Sequence, residues 1–283
     1  MAVIGIDLGT TNSLAGVWQD GKVVLIPNAF GEYLTPSVVG IGKNQEVFVG
    51  SVAKEMLATQ PYDTFREFKR NMGTNFLYGN GRKKYRAEEL SAFVLRRLKE
   101  DAEKFLGEEV TEAVISVPAY FDDNKRNATK NAGRLAGLKV ERLINEPSAV
   151  ALKHHTAEKG AESFIVFDFG GGTLDVSLVE AFDNVVEIQA VAGDNYLGGK
   201  DFNEIIAQDF YEQNQISEAY LTKNEQENVL KEAEAVKKEL TDKNEAERQV
   251  YIKGEAYTLK MTNQRLIHLS AELFSRMAKP IAK

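Results

Sequence analysis

Twice along this chain an apolar strand pattern runs into Asp, an apolar residue and Gly, and then into small and hydroxyl residues. It does so as Gly5-Ile6-Asp7-Leu8-Gly9-Thr10-Thr11 and again as Val166-Phe167-Asp168-Phe169-Gly170-Gly171-Gly172-Thr173. A strand that ends in Asp and turns on glycine carries successive backbone N–H groups and hydroxyls at its tip, a concavity suited to an anion. One such loop reads equally well as an ordinary hairpin turn. Two, similarly patterned and a lobe apart, point to an internal duplication and to two related lobes facing one another. Asp7, Asp168 and Asp175 then make sense as carboxylates holding a hydrated Mg²⁺ beside phosphates, because hard divalent cations take oxygen ligands and Mg²⁺ keeps several waters.

The elements between the loops alternate strand and helix, which predicts an α/β protein. Val3 to Leu8, Ser13 to Trp18 and Val23 to Ile26 read as strands, with a hairpin turn at Asp20-Gly21. Leu90, Phe93, Val94, Leu98, Ala102 and Phe105 recur at helical spacing until Gly107 supplies a stop. A buried strand follows at Ala113 to Val117, a helix from about Asp123 to Gly137, a strand at Val140 to Leu143 and a helix from Pro147 to His155. The charged stretch from Glu158 to Glu162 separates a first lobe, 1–160, from a second, 161–283. The last clear element is a long helix, opened by a Thr222/Glu225 capping box, with Val229, Leu230, Ala233, Val236 and Leu240 on its apolar face.

Other chemistries are excluded by what the chain lacks. A net charge of -7 with interspersed signs offers no basic stripe for nucleic acid. There is no cysteine, hence no disulfide, thiolate nucleophile or cysteine zinc site, which fits a cytoplasmic location. The N-terminus enters a strand directly, without signal-peptide character, and no apolar run approaches the roughly 18 residues of a membrane span. His154, His155 and His268 have no metal-ligand spacing. The segment Gly193 to Asp201 comes near a P-loop but puts Gly199 where the lysine belongs, and Gly170 to Asp175 lacks the third glycine of a dinucleotide fingerprint. The nucleotide fold expected is a different one.

The successive segments Gly5 to Ser13, Val117-Pro118-Ala119-Tyr120-Phe121, Asn145-Glu146-Pro147, Phe167 to Asp175 and Leu197-Gly198-Gly199-Lys200-Asp201-Phe202 resemble, in order, the signatures of the Hsp70 family of chaperones. The resemblance covers the whole chain. It implies the two-lobed actin-like ATPase fold with ribonuclease H-like lobes, and an ATP- and Mg²⁺-dependent hydrolase whose turnover drives a conformational switch. The short stretch between Lys69 and Glu88 resembles the HscC-like branch. A small-molecule kinase or an actin-like filament protein would share the fold, but neither is expected to carry the Asn145-Glu146-Pro147 and Leu197-Gly198-Gly199 signatures.

By residue, the resemblance implies that Lys69, which on sequence alone reads as a surface lysine, lies beside the γ-phosphate. Glu146 would hold the Mg²⁺ water shell or orient the attacking water, with Asp7, Asp168 and Asp175 as the other metal-site carboxylates and potassium as a further ion. Gly9, Thr10, Thr11, Asn12, Gly170, Gly171, Gly172, Thr173 and Gly199 would cradle ATP or ADP, and Thr173 is also the position of self-modification by phosphate. Glu234, Lys237, Lys238 and Thr241, at i, i+3, i+4 and i+7, would grip ribose and adenine, although the same spacing makes a solvated stripe. Lys238 stands where arginine usually stacks on the base, so a weaker hold on adenine is expected. Pro118 and Arg126 match residues that couple nucleotide state to conformation. Arg142 and Asn145 match the surface met by J-domain co-chaperones, and a nucleotide exchange factor is a second implied partner. The family's nucleotide domain continues past the equivalent of Lys283. The second lobe is therefore expected to be C-terminally incomplete and adenosine binding weakened, and unfolded polypeptide would be gripped only by a substrate-binding domain outside these residues.

Overall fold

The structure is a computed structural model that describes residues 2–79, 83–154, 160–182 and 185–282. His155, one of the three histidines, lies outside the described residues, as do residues 158–159 of the charged stretch. The chain forms two compact units. The first comprises Met1–Glu55, Tyr62–Phe167 and Asp175–Val191, the second Met56–Pro61, Asp168–Leu174 and Ala192–Lys283.

The first unit is built on strands β1 (Ala2–Asp7), β2 (Asn12–Gln19), β3 (Lys22–Ile26), β4 (Thr35–Pro36), β5 (Val38–Ile41) and β6 (Val47–Val49), helix α1 (Ser51–Thr59), β7 (Thr64–Arg66), α2 (Ala87–Leu106), β8 (Val110–Val117), α3 (Asp123–Leu135), β9 (Leu143–Asn145) and α4 (Glu146–His154). Its main sheet runs β3-β2-β1-β8-β9, with β4 also on β2. The β1-β2 and β2-β3 pairs are antiparallel, and β1-β8 and β8-β9 are parallel. The hairpin turn falls at Asp20-Gly21, with φ of 52° and 77° at its two residues, the twist that a two-residue hairpin loop needs. Helix α2 ends where Gly107 takes φ of 71°. Its Leu90, Val94, Leu95, Leu98 and Ala102 join Ile4, Ile6, Ile115 and Val117 in one core, whereas Phe105 is exposed although Leu106 beside it packs on that core. The strand expected at Val140 to Leu143 is displaced to Leu143–Asn145. Parallel pairing with β8 fixes it there, Ile115 opposite Leu143 and Val117 opposite Asn145, and α4 begins at the next residue.

A three-stranded sheet runs in the order β10 (Glu162–Phe169), β11 (Leu174–Phe182) and β12 (Val185–Asp194), most of it in the first unit, with the Asp168–Leu174 turn and the strand end from Ala192 in the second. The second unit continues with α5 (Gly199–Gln213), α6 (Lys223–Glu239), the β13 (Glu245–Ile252) and β14 (Glu255–Thr262) hairpin, α7 (Asn263–Leu269) and α8 (Ala271–Ala278). Its core joins Ile206 and Phe210 of α5 with Val229, Ala233 and Val236 of α6 and Val250, Leu259 and Met261 of the hairpin. The capping box at the start of α6 is formed on both sides. The hairpin goes beyond the sequence reading, although Lys253 and Gly254, at φ of 52° and 84°, turn between two runs of alternating apolar residues.

Candidate functional site

In the first unit the strand register brings functional side chains into one row. Asp7 pairs with Ser116, and Ser116 with Ile144, so the C-terminal ends of β1, β8 and β9 lie side by side. Open sheets with parallel strands bind ligands at these ends. The Ser116 hydroxyl donates to Asp7 Oδ1 at 2.7 Å, and Glu146 opens α4 directly after β9. Lys69 comes from a short 3₁₀ turn, Phe68–Asn71, entered through Glu67 in the left-handed region at φ of 58°. Phe68 anchors that turn in the core, and Lys69 is itself only 8% exposed. Its Nζ donates to Glu146 Oε1 at 2.8 Å and lies 5.9 Å from the centre of the Phe121 ring. A buried ammonium requires such a partner, so the surface lysine expected from sequence alone is instead a paired interior one.

Two further groups brace this end of the sheet. Arg126 donates through Nε to the Phe121 carbonyl at 2.8 Å and through Nη2 to Asn145 Oδ1 at 2.8 Å, tying the loop after Pro118 to the end of β9. The Gly9 to Thr11 loop is tethered by Ser37, whose hydroxyl donates to the Gly9 carbonyl at 2.7 Å and whose N–H donates to Thr11 O at 2.8 Å. The buried Ser13 hydroxyl meets that of Ser37 at 2.8 Å. A side chain on Gly9 would press into the Asn12 peptide, its Cβ 3.3 Å from the Asn12 carbonyl carbon and closer still to the oxygen. Thr10 is half-buried, and Thr11 and Asn12 are exposed.

In the second unit the corresponding loop is closed by backbone. Gly170 N–H donates to Thr173 O at 2.9 Å, Gly199 N–H to Gly170 O at 3.0 Å and Lys200 N–H to Gly171 O at 2.8 Å. The start of α5 thus lies against the glycine loop, and Gly198 fits only because it lacks a side chain: a Cβ there would sit 2.6 Å from the Gly171 carbonyl carbon and closer to Gly172. Asp201 caps the helix by accepting from Gly198 N–H at 2.7 Å. Lys237 donates to the Gly199 carbonyl, while Lys238 is exposed and ion-paired with Glu234 at 2.8 Å. Thr241 falls past the end of α6 at Glu239, on the turn that follows, so the four-residue helical face is a three-residue one. Asp168 is exposed, and Thr173 and Asp175 are half-buried. Sequence reasoning does not single out Ser37 or Ser116; a lone hydroxyl in the apolar run Ala113 to Val117 is the one signal for the latter.

Among the described residues no three His, Cys, Asp or Glu side chains are grouped to enclose a metal ion. The donors present, carboxylates such as Asp7 and Glu146, suit instead a Mg²⁺ that keeps most of its own waters and takes one or two carboxylates. No helix among the described residues is long and apolar enough to cross a membrane.

A mixed α/β fold carrying a carboxylate at a parallel strand end and paired glycine-built loops defines the class: the two-lobed, actin-like ATPase fold. The family model described as Hsp70 protein matches residues 3–82 and 77–283. The chain belongs to the Hsp70 family, a family of nucleotide-binding chaperones.

Proposed function

We propose that this chain binds ATP with Mg²⁺ and hydrolyses it, and that hydrolysis drives a conformational switch. The observation that carries the reading is the buried Lys69 held on Glu146 at the ligand-binding end of the main sheet. A purely structural position there would be served as well by apolar residues, since a buried ion pair contributes little net stability. Phosphoryl transfer needs positioning and charge neutralisation more than covalent chemistry. The Lys69 ammonium supplies a point charge for the terminal phosphate. Glu146 accepts hydrogen bonds from water and so orients the attacking molecule. Mg²⁺, when bound, neutralises phosphate charge; Asp7, Asp168, Asp175 and Glu146 are the residues that would hold its water shell, with K⁺ as a further ion. The backbone N–H groups and hydroxyls of Gly9 to Asn12 and Gly170 to Thr173, together with Gly199, bind phosphate, and Glu234, Lys237, Lys238 and Thr241 bind adenosine. A J-domain co-chaperone and a nucleotide exchange factor are the partner classes this reading brings, with the cytoplasm as the compartment.

Single-turnover hydrolysis by the wild type beside Lys69→Ala tests the assignment. The expected outcome is a rate lower by on the order of a hundredfold, the magnitude of losing one group that stabilises the transition state, with ATP affinity by calorimetry changed only a few-fold. Equal rates would remove Lys69 from the mechanism.

A further inference from the structure

We infer that Ser116 is a positioning residue for the magnesium-bound nucleotide: its hydroxyl orients the Asp7 carboxylate toward the metal's water shell. The inference rests on the reading of Asp7 given above and adds a residue to it. Asp7 ends β1 and is exposed, so on its own its carboxylate would rotate freely in solvent. Ser116 is its direct neighbour across the parallel β1-β8 ladder and is buried, 8% exposed. The 2.7 Å separation from Oγ to Oδ1 is that of a hydroxyl donating to a charged carboxylate, a strong bond. It occupies one carboxylate oxygen and fixes the plane of the group, leaving Oδ2 with no protein hydrogen bond among the described residues.

The surroundings give the hydroxyl no other task. Ile115 and Val117, on either side of Ser116 in β8, are fully buried in the apolar core, and a serine in such a strand weakens packing. Groups that orient metal-binding carboxylates from behind change metal affinity by roughly tenfold to a hundredfold when removed. The same hydrogen bond lowers the freedom of Asp7 before nucleotide arrives, so the ordering cost is met during folding and not during binding.

Ser116→Thr and Ser116→Val test this as a pair, because the two side chains have nearly the same shape and differ by a hydroxyl against a methyl. ATP binding is measured by calorimetry across a Mg²⁺ titration, beside thermal unfolding with neither nucleotide nor Mg²⁺ present. The expected result is a half-saturating Mg²⁺ concentration near the wild-type value for Ser116→Thr and about tenfold higher for Ser116→Val, with metal-free unfolding alike in the two. Equal Mg²⁺ dependence in the two variants overturns the inference, and so does a difference confined to unfolding. Asp7→Asn separates this failure from that of the underlying reading: if it leaves the Mg²⁺ dependence of ATP binding at the wild-type value, Asp7 itself is not a metal-site residue.

Discussion

At Gly9 an added methyl group would press into the Asn12 peptide, whereas at Gly170, the matching position of the second Asp-x-Gly pattern, it would lie 3.5 Å from Thr173 O, at ordinary van der Waals distance. The two loops look alike in sequence and are held differently. The first is tethered mainly by side chains, with the Ser37 hydroxyl on Gly9 and Ser116 on Asp7 beside one backbone bond from Ser37 to Thr11, over a core that β1 itself enters. The second is closed by backbone N–H groups of α5, and its sterically required glycine is Gly198, 28 residues away from Gly170 in the chain. A repeated pattern therefore records a shared task for the loop tip but not a shared means of holding it.

Gly198→Ala should be the most damaging test of this contrast. Its methyl meets three backbone atoms of Gly171 and Gly172 at less than 3.0 Å, where a methyl on Gly9 meets a single backbone atom that closely. The expected loss is about 3 kcal/mol or more, read as a lower urea midpoint, together with loss of ATP binding by calorimetry. A wild-type midpoint would show that the glycine loop yields, and the backbone account of the second unit would fail.

Gly9→Ala against Gly170→Ala is the next largest effect. Gly9→Ala should cost about 1–3 kcal/mol; Gly170→Ala should change stability by less than about 0.5 kcal/mol or raise it slightly, since alanine narrows the unfolded ensemble. Comparable losses at both positions, measured by the same denaturation, would break the distinction between the two copies.

Local signals were readable from the sequence and long-range ones were not. Helix α2 with its Gly107 stop, the Asp20-Gly21 hairpin and the Thr222/Glu225 box all rest on residues within a few positions of one another. The apolar run at Val140 does not mark the strand, because the position of β9 is set by pairing with β8. Local pattern makes Lys69 a surface lysine, because its partner Glu146 stands 77 residues away, and only the family resemblance points it toward phosphate. Ser116 and Asp7 are 109 residues apart and meet through a parallel ladder that no local pattern announces. The β13-β14 hairpin has a local alternation too, but Glu, Lys and Arg within its strands dilute the strand signal.

The smallest effect concerns how the second unit holds the Glu225 carboxylate. Asp7 receives a side-chain hydroxyl, but Glu225 accepts from backbone: Thr222 N–H at 2.8 Å and Lys253 N–H, in the β13-β14 turn, at 3.0 Å, besides the Thr222 hydroxyl. The Thr222 backbone bond, then its hydroxyl, hold the Glu225 carboxyl below the usual range. A carboxyl whose folded pKa is depressed contributes stability in full above its unfolded pKa and loses it as pH falls through the folded one. Glu225→Gln should thus cost about 1 kcal/mol near pH 7, the ordinary size of a helix-capping interaction, and the deficit should shrink as both proteins are acidified below the normal glutamate range. Urea denaturation at a series of pH values measures it. A deficit that stays constant with pH would mean that Glu225 acts by shape and not by charge, and would leave it without the backbone role that sets it apart from Asp7.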